Sequence, residues 1–346
     1  MIVNKSANPK AAGEFSIKIG QMPIDENFCA GYSYIPYIKR RKIMNVVEIE
    51  NVTKTFGRVT AVDELSLNVP KGCIYGFIGP NGSGKTTTLR MIMNIFYPDS
   101  GTIRTFGEEM KGTSTDRIGY LPEERGMYKK MKVRDLLKFY GELKSGRKVD
   151  KDADYWLERL ELSDWANKRI ETLSKGMGQK VQFISTIVSK PELIILDEPF
   201  TGLDPVNVEV IKDAVLELRS EGSTVIFSTH DMNVAEKMCD FIFMIFKGQK
   251  VLDGTLTSIQ KKYGSDTLRI RTEGGRSTLD NLEGVDRITD FGKLQELRIR
   301  PGFDHQKILK KIMSRTQVNS FELSTPTLYD IFLRIAGPEA KEHVDA

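Results

Sequence analysis

Eight consecutive residues, Gly79-Pro80-Asn81-Gly82-Ser83-Gly84-Lys85-Thr86, fit the pattern GxxxxGK[ST] and are followed by a second threonine, Thr87. Glycines in such a run let the backbone wrap an anion with no Cβ in the way, so that successive N–H groups converge on it. A helix that starts at the end of the run adds partial positive charge. In that setting Lys85 reaches the β- and γ-phosphates of a nucleoside triphosphate, and the Thr86 hydroxyl can ligate the Mg²⁺ that bridges them. A glycine-rich structural turn is the competing reading. The flanks argue against it: Ile74 to Ile78 reads as a buried strand, and Leu89, Ile92, Met93 and Phe96 fall at helical spacing.

Leu193, Ile194, Ile195 and Leu196 form an unbroken apolar stretch that ends in Asp197 and Glu198, the pattern of a buried strand with carboxylates at its tip. Adjacent side chains leave a strand on opposite faces, so the two acids are expected to take separate tasks. Asp197 would hold Mg²⁺ through its water shell, and Glu198 would polarise the water that attacks the γ-phosphate. Read alone, an acidic pair at a strand end is more often plain surface. Pairing with the phosphate loop weakens that reading.

The elements that must position these residues interleave along the chain. Val46 to Val52, Leu65 to Val69 and Ile74 to Ile78 read as strands, and Lys85 to Phe96 as an amphipathic helix ended by Pro98. Residues 133–190 read as a helical insert, with Leu136, Leu137 and Tyr140 on one face and Trp156, Leu157, Leu160 and Leu162 in a second amphipathic stretch. Residues 193–196 and 224–228 lack polar alternation and read as buried strands of a layered α/β core. After Gly264 come short strands, Thr267 to Arg271, Glu296 to Arg300 and Ser320 to Leu323, with helices at His305 to Met313 and Thr327 to Ile335, in a βαββαβ-like order. Residues 1–43 show no sustained period and no signal-peptide core, and read as an extension, with Met44 an alternative start of translation.

Composition removes several classes. Hydrophobic residues at 40% and charged residues at 28% are ordinary for a globular protein and argue against wholesale disorder. The most apolar run, Phe241 to Phe246, closes at Lys247, far short of the roughly 18 residues of a spanning helix, so a membrane role needs a partner. Cys29, Cys73 and Cys239 form no CxxC pair, which disfavours a disulfide framework or zinc site and fits a reducing cytoplasm. A net charge of +4 is too mild to argue for nucleic acid, and the run Lys39-Arg40-Arg41-Lys42 reads as solvated charge in a linker.

Over about residues 46 to 254 further motifs occur in the order found in the ABC ATPases, a family the chain therefore resembles. Leu173-Ser174-Lys175-Gly176-Met177, before an expected helix from Gly178 to Ser189, is similar to the signature usually written LSGGQ. The resemblance implies that Ser174 and the Gly176 N–H bind the γ-phosphate held by the opposite subunit, whereas the segment alone reads as a serine N-cap. Thr201 to Pro205 resembles the D-loop, which brings Asp204 to the nucleotide. Ser228-Thr229-His230-Asp231 resembles the switch region, with His230, one of three histidines, contacting the γ-phosphate. Phe56 matches the aromatic that stacks on adenine, with a core phenylalanine as the competing reading. Where the family usually has the Q-loop glutamine the chain offers Glu123, which can ligate Mg²⁺ but, ionised, cannot donate a hydrogen bond. Lys175 and Met177 replace the usual glycine and glutamine of the signature.

These departures and the small C-terminal unit resemble a prokaryotic subgroup associated with sodium or drug export. The resemblance implies an α/β fold: a P-loop ABC-type ATPase core over 44–264 with a helical subdomain at about 125–190, then a small α+β domain over 265–346. It further implies ATP and Mg²⁺ as ligands and Lys85, Glu198 and His230 as the catalytic set. A second ATPase subunit, identical or paralogous, and an integral-membrane permease would be the partners, with the chain at the cytoplasmic face of the cell membrane. No nucleic acid is expected. One phosphate loop and one signature cannot face each other across a nucleotide within one copy, hence the dimer. The alternative is a non-transport ABC ATPase acting on ribosomes or DNA. A P-loop kinase or GTPase would account for Gly79 to Thr86 alone.

Overall fold

The computed structural model describes residues 44–109, 116–124, 126–264, 267–300 and 302–337. The extension 1–43, with Cys29 and the basic run 39–42, lies outside them. Two long strands come first, β1 (Asn45–Phe56) and β2 (Val59–Pro70), paired antiparallel across a turn in which Gly57 takes φ 61°. Next, β3 (Ile74–Ile78), buried along its whole length, hands over through the glycine-rich loop to helix α1 (Lys85–Ile92). This helix stops short of the expected Phe96 because Asn94 turns left-handed at φ 56°, a conformation asparagine tolerates at helix ends. Phe96 instead lies edge-on to Phe56, ring centroids 5.4 Å apart.

Strands β4 (Ser100–Thr105) and β5 (Glu108–Glu109) complete a four-stranded antiparallel sheet in the order β2-β1-β4-β5. After β6 (Ile118–Leu121) comes the helical insert, α2 (Val133–Ser145), α3 (Asp150–Arg159) and α4 (Lys175–Ile187). Its apolar faces meet as the periodicity requires: Leu136 and Leu137 of α2, Trp156 and Leu157 of α3, and Val181 and Ile184 of α4 share one buried cluster.

The chain continues through β7 (Leu193–Leu196), α5 (Pro205–Ser220), β8 (Thr224–Thr229), α6 (Met232–Met238), β9 (Phe241–Phe246) and β10 (Gln249–Gly254). A six-stranded sheet results, ordered β10-β9-β3-β8-β7-β6, with only β10 antiparallel to its neighbour. Strands β7 and β8 are buried at every residue, which is why they read as continuous apolar runs. The glycine-rich loop leaves the carboxyl end of β3, the two acids follow β7, and Ser228 and His230 stand at the end of β8, between those two strands. All three therefore gather at one edge of the parallel sheet, where such sheets place ligands.

Helix α7 (Leu256–Tyr263) leads to β11 (Thr267–Thr272), β12 (Val285–Asp290), β13 (Gln295–Ile299), α8 (His305–Met313), β14 (Val318–Ser324) and α9 (Leu328–Ala336). The antiparallel sheet has the order β12-β13-β11-β14, the arrangement of a βαββαβ unit whose first helix is reduced here to a 3₁₀ turn at Gly275–Leu279. Leu268, Ile270, Leu297 and Ile299 face α8 through Ile308 and Ile312. In contrast, α9 buries Leu328, Ile331 and Phe332 in a cluster with Ile78, with Met232 and Ala235 of α6, and with Ile259 of α7.

Candidate nucleotide-binding site

The glycine-rich loop is shaped by contacts that only glycine permits. A Cβ on Gly79 would sit 2.2 Å from the Ile245 carbonyl oxygen, and one on Gly84, at φ 108°, would sit 2.4 Å from that of Ala61. Gly84 opens α1 with no side-chain cap, and the first turn holds no acid, so the helix dipole is left for a ligand to complete. The buried Ser83 hydroxyl also has no partner among the described residues. Asn81 to Thr87, with Ala61, Glu123 and Glu198, line a cavity of about 250 Å³. Inside it the Lys85 ammonium donates to the carbonyls of Gly79 at 2.7 Å and Pro80 at 3.1 Å. Burial pushes the Lys85 pKa down, and the carboxylates of Glu198, Asp197 and Glu123 oppose that shift.

The acids are held by a chain of hydroxyls. Asp197, fully buried, accepts on Oδ1 from Thr86 Oγ1 at 3.2 Å and from Ser228 Oγ at 2.6 Å, while its Oδ2 has no partner among the described residues. Ser228 Oγ in turn accepts from the Glu198 N–H at 2.9 Å. Strand alternation does not separate the two acids, contrary to expectation. Strand β7 has ended at Leu196, and Glu198 is turned away by a left-handed backbone, φ 49°, a strained conformation for this residue type. Its carboxylate meets His230 Nδ1 at 3.1 Å, accepts from Thr201 Oγ1 at 3.2 Å and lies 3.8 Å from Lys85 Nζ. An orphaned buried carboxylate oxygen beside a threonine hydroxyl fits a hard divalent cation. No group of three or more His, Cys, Asp or Glu among the described residues forms an all-protein cage, so such an ion would draw its other ligands from phosphate and water.

Other expected site residues fall elsewhere. Phe56 is 44% exposed, with Lys54 Nζ 5.5 Å from its ring centroid, so it is a surface platform and not a core residue. Helix α4 starts at Lys175, three residues before the expected Gly178, because Ser174 Oγ accepts from the Met177 N–H at 3.2 Å and sets the N-cap there. Gly176 thus sits in the first turn. Asp204 caps α5, accepting from the Asn207 N–H at 3.0 Å, and a Cβ on Gly176 would come within 3.3 Å of the Asn207 amide nitrogen. Ser174 and Lys175 line a second cavity, about 600 Å³, that shares no lining residue with the phosphate-loop cavity. Ser174, Gly176 and Asp204 are therefore near one another, and none of them lines the phosphate-loop cavity. Ser228 and Thr201, which tie down the two acids, escaped prediction as site residues, because a hydroxyl at a strand end or in a loop carries no distinctive spacing.

A phosphate cradle and an acid-tipped strand on the carboxyl edge of a parallel sheet define a P-loop nucleoside triphosphatase. Residues 62–201 match a family model described as ABC transporter, and residues 254–336 one described as ATP-binding protein DrrA1-3-like, C-terminal domain. The chain is 41% identical over 294 residues to the uncharacterized ABC transporter ATP-binding protein YhaQ of Bacillus subtilis (strain 168), covering 84% of this chain and 99% of that protein. It is 30% identical over 308 residues to the linearmycin resistance ATP-binding protein LnrL of the same organism, covering 84% and 98%. A solved structure described as that of the ATP binding subunit of an ABC transporter matches with a TM-score of 0.60 at 26% identity, over 63% of this chain and 93% of that one. The chain belongs to the ABC transporter ATP-binding proteins, a family of nucleotide-binding, ATP-hydrolysing subunits that generally pair with membrane permeases. No helix among the described residues is long and apolar enough to cross a membrane.

Proposed function

We propose that the chain closes on ATP with a second ATPase subunit, identical or paralogous, and that the resulting motion drives a separate integral-membrane permease from the cytoplasmic face of the membrane. That the phosphate-loop cavity and the signature cavity share no lining residue carries this reading. Each ends in a helix start suited to an anion, and a terminal phosphate seated in the first can engage the second only on another copy. ATP that binds the closed pair better than the open chains then drives closure by mass action, and loss of the γ-phosphate reverses it.

Within the pair, Gly79 to Thr87 wrap the phosphates, Lys85 holds the β- and γ-oxygens, and Phe56 stacks on adenine. Thr86, Asp197 and Glu123 would hold Mg²⁺, which would supply positive charge against the phosphates' negative charge. Glu198 takes the proton of the attacking water, and His230, beside it, contacts the γ-phosphate. Ser174 and Gly176 of the opposing copy complete the contact, with Asp204 fixing the start of α5 beside them. We place the ATPase core at 44–264, with the helical subdomain at about 125–190 facing the permease, and a C-terminal unit at 265–346. The resistance-protein relative and the C-terminal family match favour outward transport of drugs or ions.

The test is Glu198→Gln in the full chain. ATP should then hold a stable dimer, seen by light scattering after size-exclusion chromatography, while phosphate release falls. Hydrolysis at the parental rate would remove Glu198 as the base. Purification from detergent-solubilised membranes should recover a permease, and reconstitution with it should give ATP-driven efflux.

A further inference from the structure

Phe56 is the last residue of β1, beside the turn of the β1–β2 hairpin, with its ring open to solvent. An exposed side chain loses rotamer freedom when a planar base stacks on it, so whatever orders the ring beforehand adds to affinity. Asp99 supplies such order from outside the hairpin. Its carboxylate accepts on Oδ1 from Lys54 Nζ at 2.7 Å, and on Oδ2 from Thr55 N and Thr55 Oγ1, each at 2.7 Å. The Asp99 N–H donates in turn to the Thr53 carbonyl at 2.8 Å. The three residues before Phe56 are thus tied to one acid.

Resting on the reading of Phe56 as the adenine platform, we propose that Asp99 is a positioning residue for the nucleotide base: it fixes the strand end at 53–55 and, through Lys54, sets the Phe56 ring in the posture that receives adenine. Side chains two apart on a strand leave the same face, which brings Lys54 to the neighbouring ring. Its Nζ stands over that ring, 5.5 Å from the centroid, within reach of a cation–π contact. A lysine with no acid beside it would hold its ammonium in water in many rotamers, and the ion pair with Asp99 selects this one.

The same segment supplies a second hold. Phe96, which meets the Phe56 ring edge-on, lies with Asp99 in the stretch 93–99 that joins α1 to β4. Helix α1 begins at Lys85, so the segment that continues the phosphate-loop helix also steadies the platform. The hairpin reaches the phosphates from its other strand: Ala61 of β2, between the register partners of Thr55 and Lys54, lines the phosphate-loop cavity. Base and phosphates belong to one ligand, and a platform fixed relative to the cradle lets both contacts form at once.

Hydrogen bonds from Lys54 and from the Thr55 N–H and hydroxyl pull the Asp99 pKa down to about 2, so the acid keeps its charge near neutral pH. Asp99 and Thr55 are exposed, and an exposed ion pair contributes little to folding. Water can take over the bonds that Asp99 gives up. Its loss should therefore be felt in base binding more than in unfolding.

Isothermal titration of the full chain with ATP and with magnesium tripolyphosphate, which lacks base and ribose, tests this role. Phe56→Ala should weaken ATP by about tenfold and Asp99→Ala by about fivefold, while both bind tripolyphosphate within about twofold of the parent. In a Phe56→Ala background, Asp99→Ala should cost no further ATP affinity, because no ring is left to place. Asp99→Asn keeps an acceptor for Thr55 but gives up the charge that holds Lys54, and should fall between the parent and Asp99→Ala. Equal losses of ATP and tripolyphosphate in Asp99→Ala, or the same loss of ATP affinity with and without Phe56, would make Asp99 a prop of the fold and overturn the proposal. Parental ATP affinity in both Asp99→Ala and Asp99→Asn, with Phe56→Ala weakened, would overturn it as well. Parental ATP affinity in Phe56→Ala would instead remove the adenine platform, and the role of Asp99 with it.

Discussion

Helix α1 begins at a left-handed glycine with no side-chain cap, whereas α4 begins at a serine whose hydroxyl already accepts a hydrogen bond from Met177 N. Around the first, Lys85, Asp197 and Glu198 are all less than a tenth exposed and held by a network of hydroxyls. Around the second, Ser174 and Lys175 stand exposed. The two helix starts offer the same kind of anion site in different states of completion. The phosphate-loop end is built inside one chain, where Asp197 Oδ1 and the Glu198 carboxylate have internal partners and Asp197 Oδ2 has none among the described residues. The signature end is satisfied locally but has an open face, as expected of a surface that finishes someone else's site.

Breaking the built end should have the largest effects. Glu198→Gln removes the proposed base while keeping size and hydrogen-bonding reach, so ATP turnover should fall by about 100- to 10,000-fold in a phosphate-release assay, with nucleotide affinity retained. Lys85→Ala removes the buried ammonium of the phosphate-loop cavity and the cation 3.8 Å from the Glu198 carboxylate. ATP affinity should weaken by about 30-fold or more by calorimetry; parental affinity would mean that the loop amides alone hold the nucleotide. Ser228→Ala is milder. It strips one donor from Asp197 and the acceptor of the Glu198 N–H, leaving buried groups unsatisfied at a cost of about 1–3 kcal/mol in denaturant unfolding.

The same contrast explains what could be read from the chain alone. The built end was legible because its chemistry is local: GxxxxGK[ST] sits on consecutive residues, and the acids directly follow four apolar ones. Parallel strands β7 and β8 announced themselves as unbroken apolar runs because both faces are covered. Less was legible where a backbone conformation or a distant partner decides. Nothing in the sequence announced the left-handed turn at Glu198 that separates the acids, nor the Ser228 bridge that joins residues 31 apart. The expected start of α4 at Gly178 is three residues late, because the Ser174 cap and the packing of Val181 and Ile184 carry the helix back through Gly176 to Lys175. Strand β12 was not predicted, since half-buried Val285, Ile288 and Thr289 alternate too weakly to show a period of two.

The smallest change separates two roles at Ser174. As a cap, its hydroxyl satisfies Met177 N, and Ser174→Ala should destabilise the fold by about 1 kcal/mol. Ser174→Gly is the sharper variant, because glycine at an N-cap costs only a few tenths of a kcal/mol relative to serine. Its melting temperature should therefore stay close to the parent's. If the hydroxyl also reaches a phosphate held by another copy, the ATP-dependent dimer of a Glu198→Gln background should still weaken by about tenfold, one hydrogen bond to a charged group having been lost. A Ser174→Gly chain that dimerises on ATP as tightly as its background would reduce this serine to a helix cap. The open face of α4 would then have to act through its backbone N–H groups and Lys175 alone.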